Sequence, residues 1–374
     1  MKIGILTFYW SKDNYGQLLQ AFALQKFLKN KGHEAFLIRY NFESKIKQNP
    51  LWKRCYKALH PIKLYNFLKR RMTRKKIQAE RLQHDRHFDD FRKNYFSFSA
   101  NEYYSFNELK QNPPEADFYI VGSDQVWNPN CAGGMDAPWF ENILKAYFLG
   151  FGNPQTKKLS YAASWGIKEL NPKIAHKIQP LLKEFSYVSV RENSGIALCE
   201  QCGFKNAEWV IDPTMLLKAK DYKDLYTSEN FPKQDKPFLL LYMLANTCDF
   251  DIKKAFDFAK QKNLEVVYVT GNGVLDTNKK TFATIPEWLY LVDNAKYVIT
   301  NSFHCGVFST IFNTKYAIVP LSGNVGGMNA RFDSLFERAG IESRYLDSDF
   351  KILEKEFAAK EFEVSAKFLT EIGI

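Results

Sequence analysis

The stretch PEWLYLVDNAKYVITNSFHCGVFSTIF, residues 286–312, packs polar groups into the join between a buried strand and a helix. Tyr297-Val298-Ile299-Thr300 is a short apolar run of β-formers and reads as a strand covered on both faces. Asn301, Ser302 and His304 follow where a helix N-cap belongs, Gly306 lets backbone approach closely, and residues 307–312 continue as an apolar helix. Free N–H groups and the positive end of the helix dipole make such a start a natural anion site, and His304 adds a titratable group. The plainer reading is that Asn301 and Ser302 only cap the helix and His304 is a satisfied core histidine.

The other candidate groups also stand where strands end. The run at 116–121 stops at Gly122-Ser123-Asp124-Gln125-Val126-Trp127-Asn128. There Ser123 and Gln125 can hold a ligand, Asp124 can take a proton from a hydroxyl, and Trp127 can offer a flat face to a sugar ring. An Asx-turn beside a core tryptophan would use the same residues. Tyr187-Val188-Ser189-Val190 closes on Arg191-Glu192, where the arginine either grips a carboxylate or phosphate through its planar fork or pairs with Glu192. Arg331 opens a helix expected over 329–339. Asn14-Tyr15-Gly16 lies after the first strand, with a tight turn as the simpler explanation, and the single Gly271-Asn272-Gly273 reads as a turn.

Strand–helix alternation must position these groups. Residues 2–40 read as a βαβ unit whose helix, 17–31, carries Leu18, Leu19, Phe22, Ala23, Leu24, Phe27 and Leu28 at helical spacing. Ligands of such units gather at the carboxyl ends of the strands. Further strands are expected at 158–163, 187–190, 209–214, 237–244, 264–270 and 315–320. Helices are expected at 174–185, 194–202, 250–262, 286–293 and, in the tail, 353–369, with a flexible loop at 322–327.

Composition sets the frame. The 374 residues suit two domains, and 45% apolar with 16% aromatic residues can fill both cores. No apolar run approaches the length of a membrane helix, and Met1-Lys2-Ile3-Gly4 enters a strand instead of a signal peptide, so a cytoplasmic protein is expected. The six cysteines read as ordinary thiols: the one close pair, Cys199 and Cys202, has no second pair at metal-ligand spacing. The net charge of +11 is local, since residues 45–79 hold twelve Lys or Arg and no Asp or Glu. Aromatic and aliphatic residues interleave with those cations, which suits an anionic membrane surface. A solvated helical hairpin is the alternative; nucleic acid is disfavoured because no recognition motif accompanies the patch.

The segments NYGQLLQAFALQKFLKNKGHE, FYIVGSDQVWNPN, SYAASWG, SVRENSG, VIDPTMLL, ITNSFHCGVFSTIF and NARFDSLFERAGI, in this order, resemble the signature blocks of the polysaccharide pyruvyl transferase family. One departure is Cys305, which follows His304 where the family usually carries glycine or another small residue. The resemblance implies an α/β fold of two Rossmann-like domains facing across a cleft, in the manner of GT-B glycosyltransferases. It divides the chain into an N-terminal domain over 1–212 with a basic helical insert at about 45–95, a C-terminal donor-binding domain over 213–345, and a C-terminal helix in 346–374 that packs back on the first domain. The implied reaction moves pyruvate from phosphoenolpyruvate, as co-substrate, onto two hydroxyls of a sugar, forming a ketal and releasing phosphate. His304 is then the candidate acid and Asp124 the candidate base. Arg191, Arg331, Asn301, Ser302 and Gly306 would bind the donor. Asn14, Tyr15, Gly16, Ser123, Gln125 and Trp127 would bind a saccharide acceptor, lipid-linked if residues 45–79 hold the enzyme at the inner face of the membrane. No metal or other cofactor is expected. Two rivals stand beside this reading: a sugar-nucleotide glycosyltransferase and a non-catalytic subunit of a polysaccharide-assembly complex.

Overall fold

Apolar strands alternating with helices build two parallel sheets. A computed structural model describes residues 1–41, 72–73, 75–131, 134–135, 137–245, 247–271, 273–274 and 276–374. Strands β1 (Lys2–Leu6), β2 (Glu34–Tyr40), β3 (Phe98–Tyr103), β4 (Phe118–Val121), β5 (Lys157–Ser160) and β6 (Phe185–Tyr187) form one sheet in the order β3-β2-β1-β4-β5-β6. All its neighbouring pairs are parallel, and this order is the dinucleotide-binding Rossmann one. Short β7 (Ser189–Val190) and β8 (Glu208–Trp209) pair beside it. The second sheet, β10-β9-β11-β12, is also parallel and comprises β9 (Phe238–Leu244), β10 (Glu265–Gly271), β11 (Tyr297–Thr300) and β12 (Tyr316–Ile318). The expected α/β class with two Rossmann-like domains is therefore what the chain adopts.

Two helices matter most for the site. The Tyr15–Asn30 helix joins β1 to β2 and starts at Asn14, whose side chain accepts from the Gln17 N–H. The Phe303–Ile311 helix follows β11 and starts at Ser302, whose hydroxyl accepts from the Cys305 N–H. Side-chain caps at both starts satisfy amides that have no partner within the helix. Between the sheets the apolar core is continuous. Tyr15 stacks on Trp288 at 4.9 Å and 8°, Tyr222 meets both Phe22 and Phe308 edge-on or tilted, and the Tyr15 hydroxyl donates to the Ala283 carbonyl at 2.7 Å.

The chain crosses between the two sheets in more than one place. After β8 it turns through a 3-10 segment, Pro213–Leu216, capped by Asp212. Residues 75–86 also bridge. Arg81 grips Asp13 with two nitrogens, Glu80 pairs with Lys280 at 3.1 Å, His84 stacks on Phe282 at 4.0 Å, and the buried Arg86 donates to the Tyr15 hydroxyl and the Thr270 carbonyl. The tail returns to the first sheet, where Phe368 packs on Tyr161 and Tyr187.

Several elements differ from expectation. The tail helix is only Ala366–Glu371, because the chain before it runs without regular structure, its Phe357, Phe362 and Val364 packed on the core. Residues expected as a flexible loop form the 3-10 turns Gly323–Asn329, and the expected strand at 209–214 ends at Trp209. Strand β3 and the Phe140–Tyr147 helix were not expected. Most of the basic insert lies outside the described residues.

Candidate active site at the domain seam

Five strand ends converge on one buried network. β4 runs into Ser123 and Asp124, β5 leads to Ser164, β7 runs into Arg191 and Glu192, β8 leads to Asp212, and β11 runs into the helix start that carries His304. That placement follows from parallel sheets, which collect their loops at the carboxyl ends of the strands.

Asp212 is the centre. Its Oδ1 accepts from the Thr214 N–H at 3.0 Å and the Thr214 hydroxyl at 2.7 Å. Its Oδ2 accepts from the Ser123 hydroxyl at 2.9 Å and from Arg191 Nη1 at 3.1 Å, and His304 Nε2 stands 3.5 Å away. Burial alone would raise the Asp212 pKa; the His304 ring and the Arg191 guanidinium outweigh it and hold the carboxyl well below the usual carboxylate range. Asp212 is thus a fixed anion. It is neither a donor nor an acceptor of protons at neutral pH.

His304 belongs to the second domain and meets Asp212 across the seam. Its Nε2 is fully buried, and the 3.5 Å approach to Asp212 falls short of an aligned hydrogen bond. Arg191 is buried, with Nε and Nη2 lacking partners, although Glu192 Oε1 lies 3.7 Å from Nε. Its guanidinium lies 4.6 Å from the Phe303 ring centroid, and that of Arg331 lies 5.6 Å from the same centroid. The two arginines differ electrically. Burial opposes the Arg191 charge, but Glu192 and Asp212 more than restore it and its pKa rises. Burial, then repulsion from Arg191, pulls Arg331 down to about 10, and its Nε donates only to the Met328 carbonyl, at 3.2 Å. Arg191 keeps two unpaired donors, and among the described residues no carboxylate comes within ion-pair distance of Arg331, so the pair has donors to offer a further anion.

Asp124 lies at the same end, its backbone in the left-handed region at φ 73, and its charge is felt by both Arg191 and Arg331. For a non-glycine residue that conformation carries strain, and such strain gathers at functional sites. Glu192 accepts from the Ser164 hydroxyl through Oε1, while its buried Oε2 has no partner.

Other candidates are differently employed. Trp127 is interior, stacked on Phe148 at 4.8 Å with its N–H donating to the Tyr147 carbonyl, so it presents no open face to a sugar. Tyr15 is equally interior. Ser123 is a buried link between Asp212 and, through its carbonyl, Thr7. Gln125 accepts from Asn128 at 2.7 Å. Asn14 is the helix cap, and Gly16 lies under the His304 ring. The Asn301 carboxamide bonds both polar groups of Leu244 at 2.7 and 3.1 Å, tying the ends of β9 and β11, and Ser302 is occupied as a cap. Gly306 faces Ile318, so its small size serves packing instead of a ligand. Asp212 and Glu192 were not among the predicted site residues, although both lie in segments that carry the family resemblance, VIDPTMLL and SVRENSG. A cavity of about 620 Å³ lies at the opposite, amino-terminal ends of β1–β3, lined by Lys2, Lys29, Glu34 and Ser97, away from these groups. Among the described residues no three of His, Cys, Asp and Glu gather as a metal-holding group, and no helix is long and apolar enough to cross a membrane.

Two Rossmann-like domains meeting across a seam lined by strand ends define the GT-B-like class. Solved structures agree on the fold. The UDP-GlcNAc 2-epimerase of Methanocaldococcus jannaschii in complex with UDP-GlcNAc and UDP is 12% identical with a TM-score of 0.51, covering 100% of this chain and 98% of its own. S. aureus MnaA bound to UDP is 10% identical, also with a TM-score of 0.51, covering 97% and 92%. No curated protein matches the sequence. The polysaccharide pyruvyl transferase model matches residues 14–319, and the chain belongs to that family.

Proposed function

We propose that this transferase moves pyruvate from phosphoenolpyruvate onto two hydroxyls of a saccharide. The observation that carries the reading is the pair of buried guanidiniums on Phe303, one anchored with unpaired donors and the other lacking a carboxylate partner. Phosphoenolpyruvate brings a carboxylate and a phosphate, the two anions such a pair complements. Family membership supports a saccharide acceptor.

The chemistry balances without a redox step. A proton adds to the methylene carbon of the enol and makes the adjacent carbon electrophilic. One sugar hydroxyl attacks that carbon and loses its proton. The bond to the phosphate oxygen then breaks, phosphate leaves with one proton, and the second hydroxyl closes the ketal, losing its own. His304, held beside the ionised Asp212, supplies the first proton. Asp124 accepts one from the attacking hydroxyl. The reaction asks for no metal, and activity after chelation tests that point. The acceptor is a saccharide precursor, lipid-linked at the inner face of the membrane, with the basic insert as the contact.

His304→Asn removes titration and keeps hydrogen-bonding capacity. Turnover, read as phosphate released from phosphoenolpyruvate with an acceptor sugar, falls by about 10²- to 10⁴-fold, the usual size of general acid–base catalysis, while calorimetric donor binding stays. Normal turnover removes His304 as the acid. Loss of donor binding in step with turnover makes it a phosphate ligand. If the native protein is stabilised by a nucleotide sugar and not by phosphoenolpyruvate, the whole reading fails.

A further inference from the structure

The His304 ring lies directly on the first turn of the Tyr15–Asn30 helix. A Cβ built on Gly16 would stand 2.3 Å from both Cγ and Nδ1 of the ring and 2.5 Å from the His304 Cβ. Real carbon contacts do not occur at such distances, and packed interiors absorb little displacement. The backbone offers no other reason for glycine: Gly16 has no positive φ, and at a helical position alanine is the better former. The three atoms nearest the missing Cβ all belong to His304.

We propose that Gly16 is a positioning residue for His304, the absent side chain being what lets the imidazole reach Asp212 across the domain seam. The inference rests on the proposed function only for what His304 does once placed. The ring is confined on its other sides. Asp212 Oδ2 is 3.5 Å from Nε2, and the Phe303 ring stands edge-on at 5.2 Å with Arg191 stacked on it in turn. A methyl group at position 16 therefore moves the imidazole off Asp212. The seam makes this a joint property of the two domains, because Gly16 comes from the first and His304 from the second.

The test uses the full chain with 15N-labelled histidine. In Gly16→Ala the His304 ring resonances shift, while those of the other five histidines stay. Turnover falls by about 10- to 100-fold, as a misplacement near 1 Å does, and phosphoenolpyruvate binding by calorimetry is retained. In a His304→Asn background the same substitution changes turnover by less than about twofold, because the coupled partner is already gone. Gly16→Ala also lowers the melting temperature, whereas in a His304→Gly background, which removes the ring together with its Cβ, the same substitution does not lower it. That arm decides the matter even if the single variant folds poorly. Unmoved His304 resonances overturn the proposal, as does a Gly16→Ala substitution that still lowers the melting temperature in the His304→Gly background. If the native enzyme releases no phosphate from phosphoenolpyruvate, the functional reading falls instead, and the resonance and melting arms still judge Gly16.

Discussion

Arg191 and Arg331 share the Phe303 ring and differ in what balances them. Asp212 and Glu192 stand beside Arg191, whereas Arg331 is buried with a carbonyl as its hydrogen-bond partner and has its pKa drawn down to about 10. Asp124 and Glu192 act on Arg331 only from beyond ion-pair distance; a buried charge so weakly countered costs stability, and replacing it by an apolar residue of similar length commonly raises stability. Arg331→Met is therefore expected to melt at a higher temperature than the native protein without ligand, and to lose the further rise that phosphoenolpyruvate gives. A variant less stable than the native protein, or still stabilised by phosphoenolpyruvate, contradicts the donor role. Asp212 is the opposite case. Removing one partner of a buried pair costs about 3–5 kcal/mol, so Asp212→Asn should lose that much at pH 7 in urea denaturation. The Asp212 carboxyl titrates in the folded state below its unfolded value of about 3.9. Its contribution is thus complete above about pH 5 and fades as pH falls toward the folded value. The gap between variant and native protein should narrow at pH 3; an undiminished gap there assigns the loss to packing.

Which elements the sequence could reveal depended on how they are buried. β1, β4, β9 and β11 are covered on both faces, and their apolar runs stand out. β3 lies at the edge of its sheet, and its central Ala100, Asn101 and Glu102 are exposed, so nothing in FSANEY announces a strand. The tail reads as a helix because its apolar residues are spaced plausibly, yet Phe357, Phe362 and Val364 are anchored one by one along the core. At the site, Arg191, His304 and Asp124 were legible because each follows a recognisable strand. Asp212 was not, because its role comes from the Pro213-Thr214 turn that aims both its oxygens, and Trp127 was misjudged because only tertiary packing decides whether an indole lies inside. The basic insert is the element-scale unknown. Within its described part Lys75 and Lys76 are exposed. Cations near an anionic bilayer are worth about 1 kcal/mol each, so co-sedimentation with anionic vesicles should be strong at low salt and fade as salt screens it. Reversing Arg70, Arg71, Lys75 and Lys76 to Glu should abolish it. Binding that survives the reversal, or none at low salt, leaves the insert without a membrane role.

At the scale of the molecule, the GT-B-like architecture suggests two bodies, while the apolar seam joins them. Tyr15 on Trp288, Tyr222 between Phe22 and Phe308, and the bridge at 75–86 make residues of both sheets parts of one packed interior. Separate domains with a thin interface would melt separately; a shared core makes the loss of either half expose the other. Scanning calorimetry should accordingly give a single endotherm whose calorimetric and van't Hoff enthalpies agree, and two resolved peaks would mean that the seam contributes little. The stacked pair of Tyr15 and Trp288 extends this to light: an indole held face to face with a phenol inside the joint is a natural emission probe, so any parting of the halves during turnover should be visible as a change in tryptophan fluorescence, with no label attached.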